Sequence, residues 1–252
     1  MEILQIVFLF TVGVCFGSFV NCVVYRLNHN LSPLRGRSIC PKCKHKLAWK
    51  DNIPLLSFAL LKGKCRYCHS PISWQYPLVE LATGVLTVFV VFHLAGVEVV
   101  ASPPPRWPNG LLGGVFYYLL IVYALLAIFV SDLRYMTIPD KVVYPAIFLS
   151  LLYSLFFIRD SVFLISGLGT AGFFYFLVLV TKGRGMGLGD VKLAGLMGLI
   201  LGWPKIAVAL FLAFLTGAVV GVILILLGKK RFGEHIPFGP FLAGSTLITL
   251  FL

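Results

Sequence analysis

The sequence predicts an all-α polytopic membrane protein with about eight transmembrane helices and a small cytoplasmic zinc-binding module between the first and second. Three observations carry this. Of 252 residues, 59% are hydrophobic and only 12% charged, with a mean hydropathy of +0.97, whereas a soluble domain carries about 25% charged residues. The apolar residues gather into runs near the ~20 residues that cross a hydrocarbon core. Four of the six cysteines stand as two CxxC pairs.

The runs span roughly 3–25, 78–100, 111–131, 141–158, 162–181, 191–203, 205–228 and 237–252. The first has no basic segment before it and no small-residue cleavage site, so it reads as a retained helix and not a removed signal peptide. The run 191–203 is short, and 237–252 contains Pro237 and Pro240, so full spanning is least expected there. Ser102-Pro103-Pro104-Pro105, Pro108-Asn109-Gly110 and Gly202-Trp203-Pro204 break the helical pattern between runs. Eight spans divide the chain into a first helix (1–27), a soluble module (28–77) and a membrane domain (78–252).

Charge gives the expected orientation. Segments 26–77, 132–141, 182–192 and 229–236 hold 18 of the 21 Lys and Arg. Basic residues mark cytoplasmic loops. Both termini are then expected outside, in the periplasm of a bacterial inner membrane protein, with Asp132 and Asp190 on one cytoplasmic face. The net charge of +12 therefore points to membrane topology and a lipid bilayer, with no nucleic acid partner. If the short sixth run were re-entrant, Lys229-Lys230-Arg231 would fall outside, against the rule.

The cysteines form Cys40-Pro-Lys-Cys43 and Cys65-Arg-Tyr-Cys68. Four thiolates at such spacing close a tetrahedral zinc site, one knuckle per pair. A module of ~50 residues has little core of its own, and a metal helps to fix it. Disulfides are disfavoured in a reducing compartment. A four-cysteine site has no open position, so this zinc is expected to be structural. Cys15 and Cys22 lie in the first helix as ordinary packing residues.

Nine acids are present in all, and a carboxylate at a membrane boundary is expensive enough to point to function. Asp132 closes the third run, in Ser131-Asp132-Leu133-Arg134, with a salt bridge to Arg134 as its plainer explanation. Asp190 follows Gly185-Met186-Gly187-Leu188-Gly189 and opens the sixth helix, where it could also be only an N-cap. Gly187 and Gly189 permit positive φ and close approach of another chain, which suits an active-site loop receiving an extended substrate. Two acids brought together could share a proton and activate water. Asp140, after Ile138-Pro139, reads as an N-cap. Ser18, Asn21, Cys22 and Tyr25 share one face of the first helix; interhelical packing is the plainer reading of that stripe. Glu80 is either a helix-start acid or part of a site.

Other classes fit less well. No HExxH, P-loop, long-period repeat or clear Ser/His/Asp arrangement is present. A proton-coupled transporter with a structural zinc ribbon is the main alternative; its acids would sit at the midplane, not at one face. A non-enzymatic scaffold leaves the GxGD segment unused.

The chain resembles the type IV prepilin leader peptidases over nearly its whole length. The resemblance rests on Gly17-Ser18-Phe19-Val20-Asn21-Cys22 through Leu27, the four cysteines with flanking Asn52-Ile53-Pro54-Leu55-Leu56-Ser57 and Tyr76-Pro77-Leu78-Val79-Glu80, Asp132 through Asp140, Gly187 through Leu193, and Pro237-Phe238-Gly239-Pro240-Phe241. It implies a bifunctional enzyme. Such an enzyme cuts the leader from type IV prepilins or type II secretion pseudopilins with a pair of aspartates, here Asp132 and Asp190. It then methylates the new N-terminal amine, usually of phenylalanine, with S-adenosylmethionine as donor. The methyltransferase half follows from resemblance alone; Glu80 and Asn21 are the candidates to hold the donor. The same fold acting on archaeal preflagellins is a related reading, against which the cysteine module argues.

Overall fold

The computed structural model describes residues 2–33, 35–100, 110–183, 186–228 and 236–252. The expected breaks at 102–109, Gly185 and the basic run Lys229-Lys230-Arg231 lie outside the described residues. The helices are α1 (Glu2–Asn28), α2 (Leu56–Leu60), α3 (Gln75–Val100), α4 (Gly110–Tyr135), α5 (Asp140–Tyr153), α6 (Ser161–Val180), α7 (Leu188–Leu201), α8 (Lys205–Leu226) and α9 (Gly239–Leu250). Apart from the short α2, they match the eight apolar runs. Among the described residues, six helices have the length and apolarity to cross a membrane: α1, α3, α4, α5 with its terminal turn, α6 and α8. With 14 and 12 residues, α7 and α9 rise only about 21 and 18 Å at ~1.5 Å per residue, short of a ~30 Å core. The run 141–158 is not one α-helix: after Tyr153 it widens into a π-turn, Ser154–Ile158, closed by Arg159 N–H donating to the Ser154 carbonyl at 2.8 Å. Asp160 then caps α6, accepting from Val162 N–H at 2.9 Å. Gly202 takes φ 64° at the predicted turn before α8.

The chain divides into two compact units, residues 1–127 and 128–252. In the first, α1 lies against α3. Small residues make this possible, as in membrane helix pairs generally. A Cβ on Gly17 would come within 2.7 Å of the Glu80 Cα, and one on Gly13 within 2.8 Å of the Thr83 carbonyl. Thr87 shares a 2.7 Å hydrogen bond with the Tyr123 hydroxyl of α4. The polar stripe of α1 is spent largely on this seam: Asn21 Nδ2 donates to the Tyr76 carbonyl at 3.1 Å. At the end of α1, Arg26 turns its guanidinium onto the carbonyls of Ser32, Pro33, Arg35 and Gly36 (2.8–3.4 Å). Buried and multiply bonded, it fixes the path into the cysteine module.

In the second unit α7 is the hub, packing against α5, α6, α8 and α9. Nine of its residues are buried, among them Leu193, Ala194, Leu196 and Met197. Its approach to α6 is set by glycine: a Cβ on Gly198 would lie 2.5 Å from the Ser166 carbonyl and 2.6 Å from the Gly167 Cα. Thr170 spans the seam, its hydroxyl donating to the Ala194 carbonyl at 3.0 Å. Gly198→Val is expected to cost about 1–3 kcal/mol through overpacking, read as a lowered Tm of the detergent-solubilised protein. The matched change Gly172→Ala, at a glycine with nothing within 4 Å, should leave Tm within a degree or two of wild type.

Candidate active site and metal centre

Asp132 stands in the last turn of α4, which Met136 ends by entering left-handed space (φ 53°). It is 6% exposed. Its Oδ2 accepts the backbone N–H of Gly239, the first residue of α9, at 2.9 Å. The carboxylate is thus engaged by backbone from far along the chain. No side chain would fit at that contact: a Cβ on Gly239 would fall 2.6 Å from Asp132 Oδ2 and 3.2 Å from its Cβ. Gly239 therefore positions the Asp132 carboxylate, a contact the sequence motif Pro237-Phe238-Gly239-Pro240-Phe241 did not reveal. Its signal was a glycine between two prolines at the start of an apolar run.

Asp190 is the third residue of α7 and 9% exposed. Its Oδ2 reaches back to the N–H of Gly187 at 3.0 Å. This is the side-chain half of a capping box, with Gly187 as the N-cap, so Asp190 is not itself the cap residue. The expectation of positive φ at Gly187 and Gly189 is corrected. Gly187 has φ −92°, ψ 162°, and Gly189 lies inside the helix. Close approach is what Gly189 provides: a Cβ there would be 3.1 Å from the Ile138 Cβ, on the segment joining α4 to α5. Both aspartates lie in the second unit, Asp132 at the end of α4 and Asp190 at the start of α7, where Ile138 of the segment that follows α4 lies against Gly189. Each has one oxygen held by a backbone N–H.

Asp140 is corrected as well. Pro139 is the N-cap of α5 and Asp140 the first helical residue, without a side-chain cap bond. Its Oδ1 instead meets Lys192 Nζ of α7 at 2.6 Å, and that ammonium lies 4.9 Å from the centre of the Tyr144 ring.

In the first unit, Cys40, Cys43, Cys65 and Cys68 bring their sulfurs within 4.8 Å of one another. A zinc tetrahedron with ~2.3 Å Zn–S bonds has S···S edges of ~3.8 Å, and Cys40 and Cys68 stand at 3.9 Å. The two knuckles are copies. Cys40 N–H donates to the His45 carbonyl and Lys44 N–H to the Cys40 carbonyl; Cys65 N–H donates to Ser70 and His69 N–H to Cys65 in the same way. Lys44 and His69 take left-handed φ of 59° and 55° at matching positions. Hydrogen bonding to Ser70 lowers the Cys68 thiol to about 6, favouring the thiolate a metal needs. The only acid of the module, Asp51, binds the second knuckle: its Oδ1 pairs with Arg66 Nε at 2.7 Å and its Oδ2 accepts from Tyr67 Oη at 3.2 Å and Ala48 N–H at 3.1 Å. Burial by itself would raise this carboxyl, but the Arg66 and Ala48 bonds hold it below the usual carboxylate range.

Glu80 and Asn21 are also buried in this unit. Glu80 Oε2 accepts Leu55 N–H at 2.9 Å, and Ser18 also bonds its carboxylate. Asn21 Oδ1 has no hydrogen-bond partner among the described residues.

Comparison with known proteins shows the family. Residues 11–94 match the bacterial peptidase A24 N-terminal domain, and residues 119–222 the type IV leader peptidase family. The chain is similar to the prepilin leader peptidase/N-methyltransferases of Aeromonas hydrophila (35% identical, over 98% of this chain and 89% of the relative) and Pseudomonas aeruginosa (33%, 94% and 87%). The Klebsiella pneumoniae protein of the same name is 36% identical over 82% of this chain and 89% of its own. No solved structure matches. The chain belongs to the type IV leader peptidase family, and so is a membrane-embedded enzyme.

Because Gly239 has no room for a methyl group, Gly239→Ala should lower peptidase turnover at least tenfold, on the scale of a displaced catalytic group. Gly244→Ala, on the same helix and with its nearest neighbour at 3.8 Å, should stay near wild-type rate in the same assay.

Proposed function

We propose that this protein removes the leader peptide of type IV prepilins or type II secretion pseudopilins with Asp132 and Asp190, then N-methylates the new N-terminus. The observation that carries the peptidase half is the meeting of two buried carboxylates, each oriented by one backbone N–H. Like-charged carboxylates at close range hold one proton between them and titrate as a unit. The ionised member takes a proton from water as the water oxygen attacks the scissile carbonyl carbon. The protonated member donates to the carbonyl oxygen. Collapse of the tetrahedral adduct breaks the C–N bond, and the proton first taken from water passes to the leaving amine. The leader junction would have to be extended here, and its freed backbone groups need a wet, protein-lined site.

The division of labour follows the chain: a first helix (1–27), a four-cysteine module (28–77) and a membrane peptidase domain (78–252). The sulfur spacing fits zinc, held by Cys40, Cys43, Cys65 and Cys68 in a closed structural site. S-adenosylmethionine, when bound, supplies an activated methyl group. Glu80 and Asn21 fit it through chemistry of their own: a buried carboxylate with no basic partner among the described residues, and a buried acceptor with none. Both favour a positively charged ligand group. The excess of Lys and Arg in segments 26–77, 132–141, 182–192 and 229–236 supports an inner-membrane orientation with the cysteine module and aspartates cytoplasmic and both termini periplasmic.

Mass spectrometry of a prepilin incubated with the purified enzyme tests both halves. Wild type should release the leader and, with S-adenosylmethionine, add about 14 Da to the new amine, the mass of one methylene. Asp132→Asn and Asp190→Asn should each abolish cleavage, as expected when neither acid of a dyad works alone; cleavage by either variant would sink the dyad. Glu80→Gln can still accept from Leu55 but carries no charge, so it should lose methylation and keep cleavage. Metal analysis should find one zinc per chain, lost in Cys40→Ser and Cys65→Ser.

A further inference from the structure

We infer that Lys192 and Asp140 form a positioning pair that locks the start of α7 against the start of α5 and so sets Asp190 opposite Asp132. This rests on the reading of those two aspartates as the catalytic dyad.

The geometry is a closed path. Asp132 ends α4, and the chain turns through Met136 to Ile138, whose side chain lies against Gly189, the residue before Asp190. Two residues beyond Ile138, Asp140 begins α5; two residues beyond Asp190, Lys192 points back to it with Nζ at 2.6 Å from Oδ1. The Tyr144 ring, one turn along α5 from Asp140, flanks the ammonium. Ile138 on Gly189 stops the two segments from closing further, and the ion pair stops them from opening. Asp132 is tied separately to the start of α9 through Gly239, so a change in the α5–α7 register shifts Asp190 relative to Asp132.

Magnitudes separate this role from ordinary stabilisation. The side chains of Lys192 and Asp140 are 28% and 58% exposed, and ion pairs that open to solvent add little to stability. A displacement of ~1 Å at a reacting group, by contrast, costs on the order of 100-fold in rate. A positioning pair should therefore matter for turnover far more than for folding. Capture of substrate by Lys192 would appear in KM instead.

The test uses the full-length enzyme in detergent or proteoliposomes, with initial rates of prepilin cleavage. Lys192→Met and Asp140→Asn are each expected to lower kcat by on the order of 10- to 100-fold, with KM within about threefold and Tm near wild type. The double variant should be no slower than the slower single one, because both changes open the same contact. Lys192→Arg, which keeps the charge, should retain most of the turnover. The proposal is overturned by an unchanged kcat in either single variant, by a loss confined to KM, by losses that multiply in the double variant, or by Lys192→Arg being as slow as Lys192→Met. Asp132→Asn and Asp190→Asn run alongside. If either cleaves, the dyad itself is wrong; if both are dead while Lys192→Met is normal, only the positioning pair falls.

Discussion

The candidate active site depends on α7 lying buried among four other helices. A 14-residue helix cannot cross a bilayer by itself, and in lipid its ends would leave backbone groups without partners. Packed against α5, α6, α8 and α9, it gains protein on most sides. That packing is possible because Gly167, Gly195 and Gly198 let α6 and α7 come close, with Thr170 donating across the seam. Only in such a setting can Asp190 sit at the start of a buried helix with its carboxylate turned back onto Gly187.

The same economy governs Asp132. An acid in the last turn of a helix faces the negative end of the helix dipole, an unfavourable position. The N-terminal N–H of α9 offsets this from the opposite direction. Its glycine lets the α9 backbone meet the Asp132 side chain: a methyl group there would overlap the carboxylate. Two helix starts, those of α7 and α9, each contribute one N–H to one aspartate. Both carboxylates are thereby oriented by backbone N–H groups.

The first unit solves a different problem. A short module with little core is held by two copied CxxC turns, one buried acid at Asp51 and the buried guanidinium of Arg26. Metal binding and folding are coupled in such modules, so the cluster and its hydrogen bonds reinforce one another. Glu80, at the start of α3, ties back to Leu55 in this module, joining the polar seam of α1 and α3 to the loop before α2.

Much of this was legible from residue order alone. Hydropathy located the eight apolar helices to within a few residues, since burial in lipid or protein leaves a long, unmixed signal. The CxxC spacing announced the cluster of four cysteines because each knuckle is a local turn. The acids stood out because carboxylates are scarce in apolar sequence. Residue order did not determine what each acid touches. Asp132 meeting Gly239, Asp140 meeting Lys192 and Gly189 meeting Ile138 join positions separated by 107, 52 and 51 residues, and no local pattern encodes such a meeting. Nor did glycine spacing distinguish a left-handed turn from a close contact; Gly189 is helical, and its missing side chain makes room for Ile138. Local chemistry determined the helices and the cysteine cluster; the packing of α7, α9 and the 136–140 segment decided which partner each carboxylate meets.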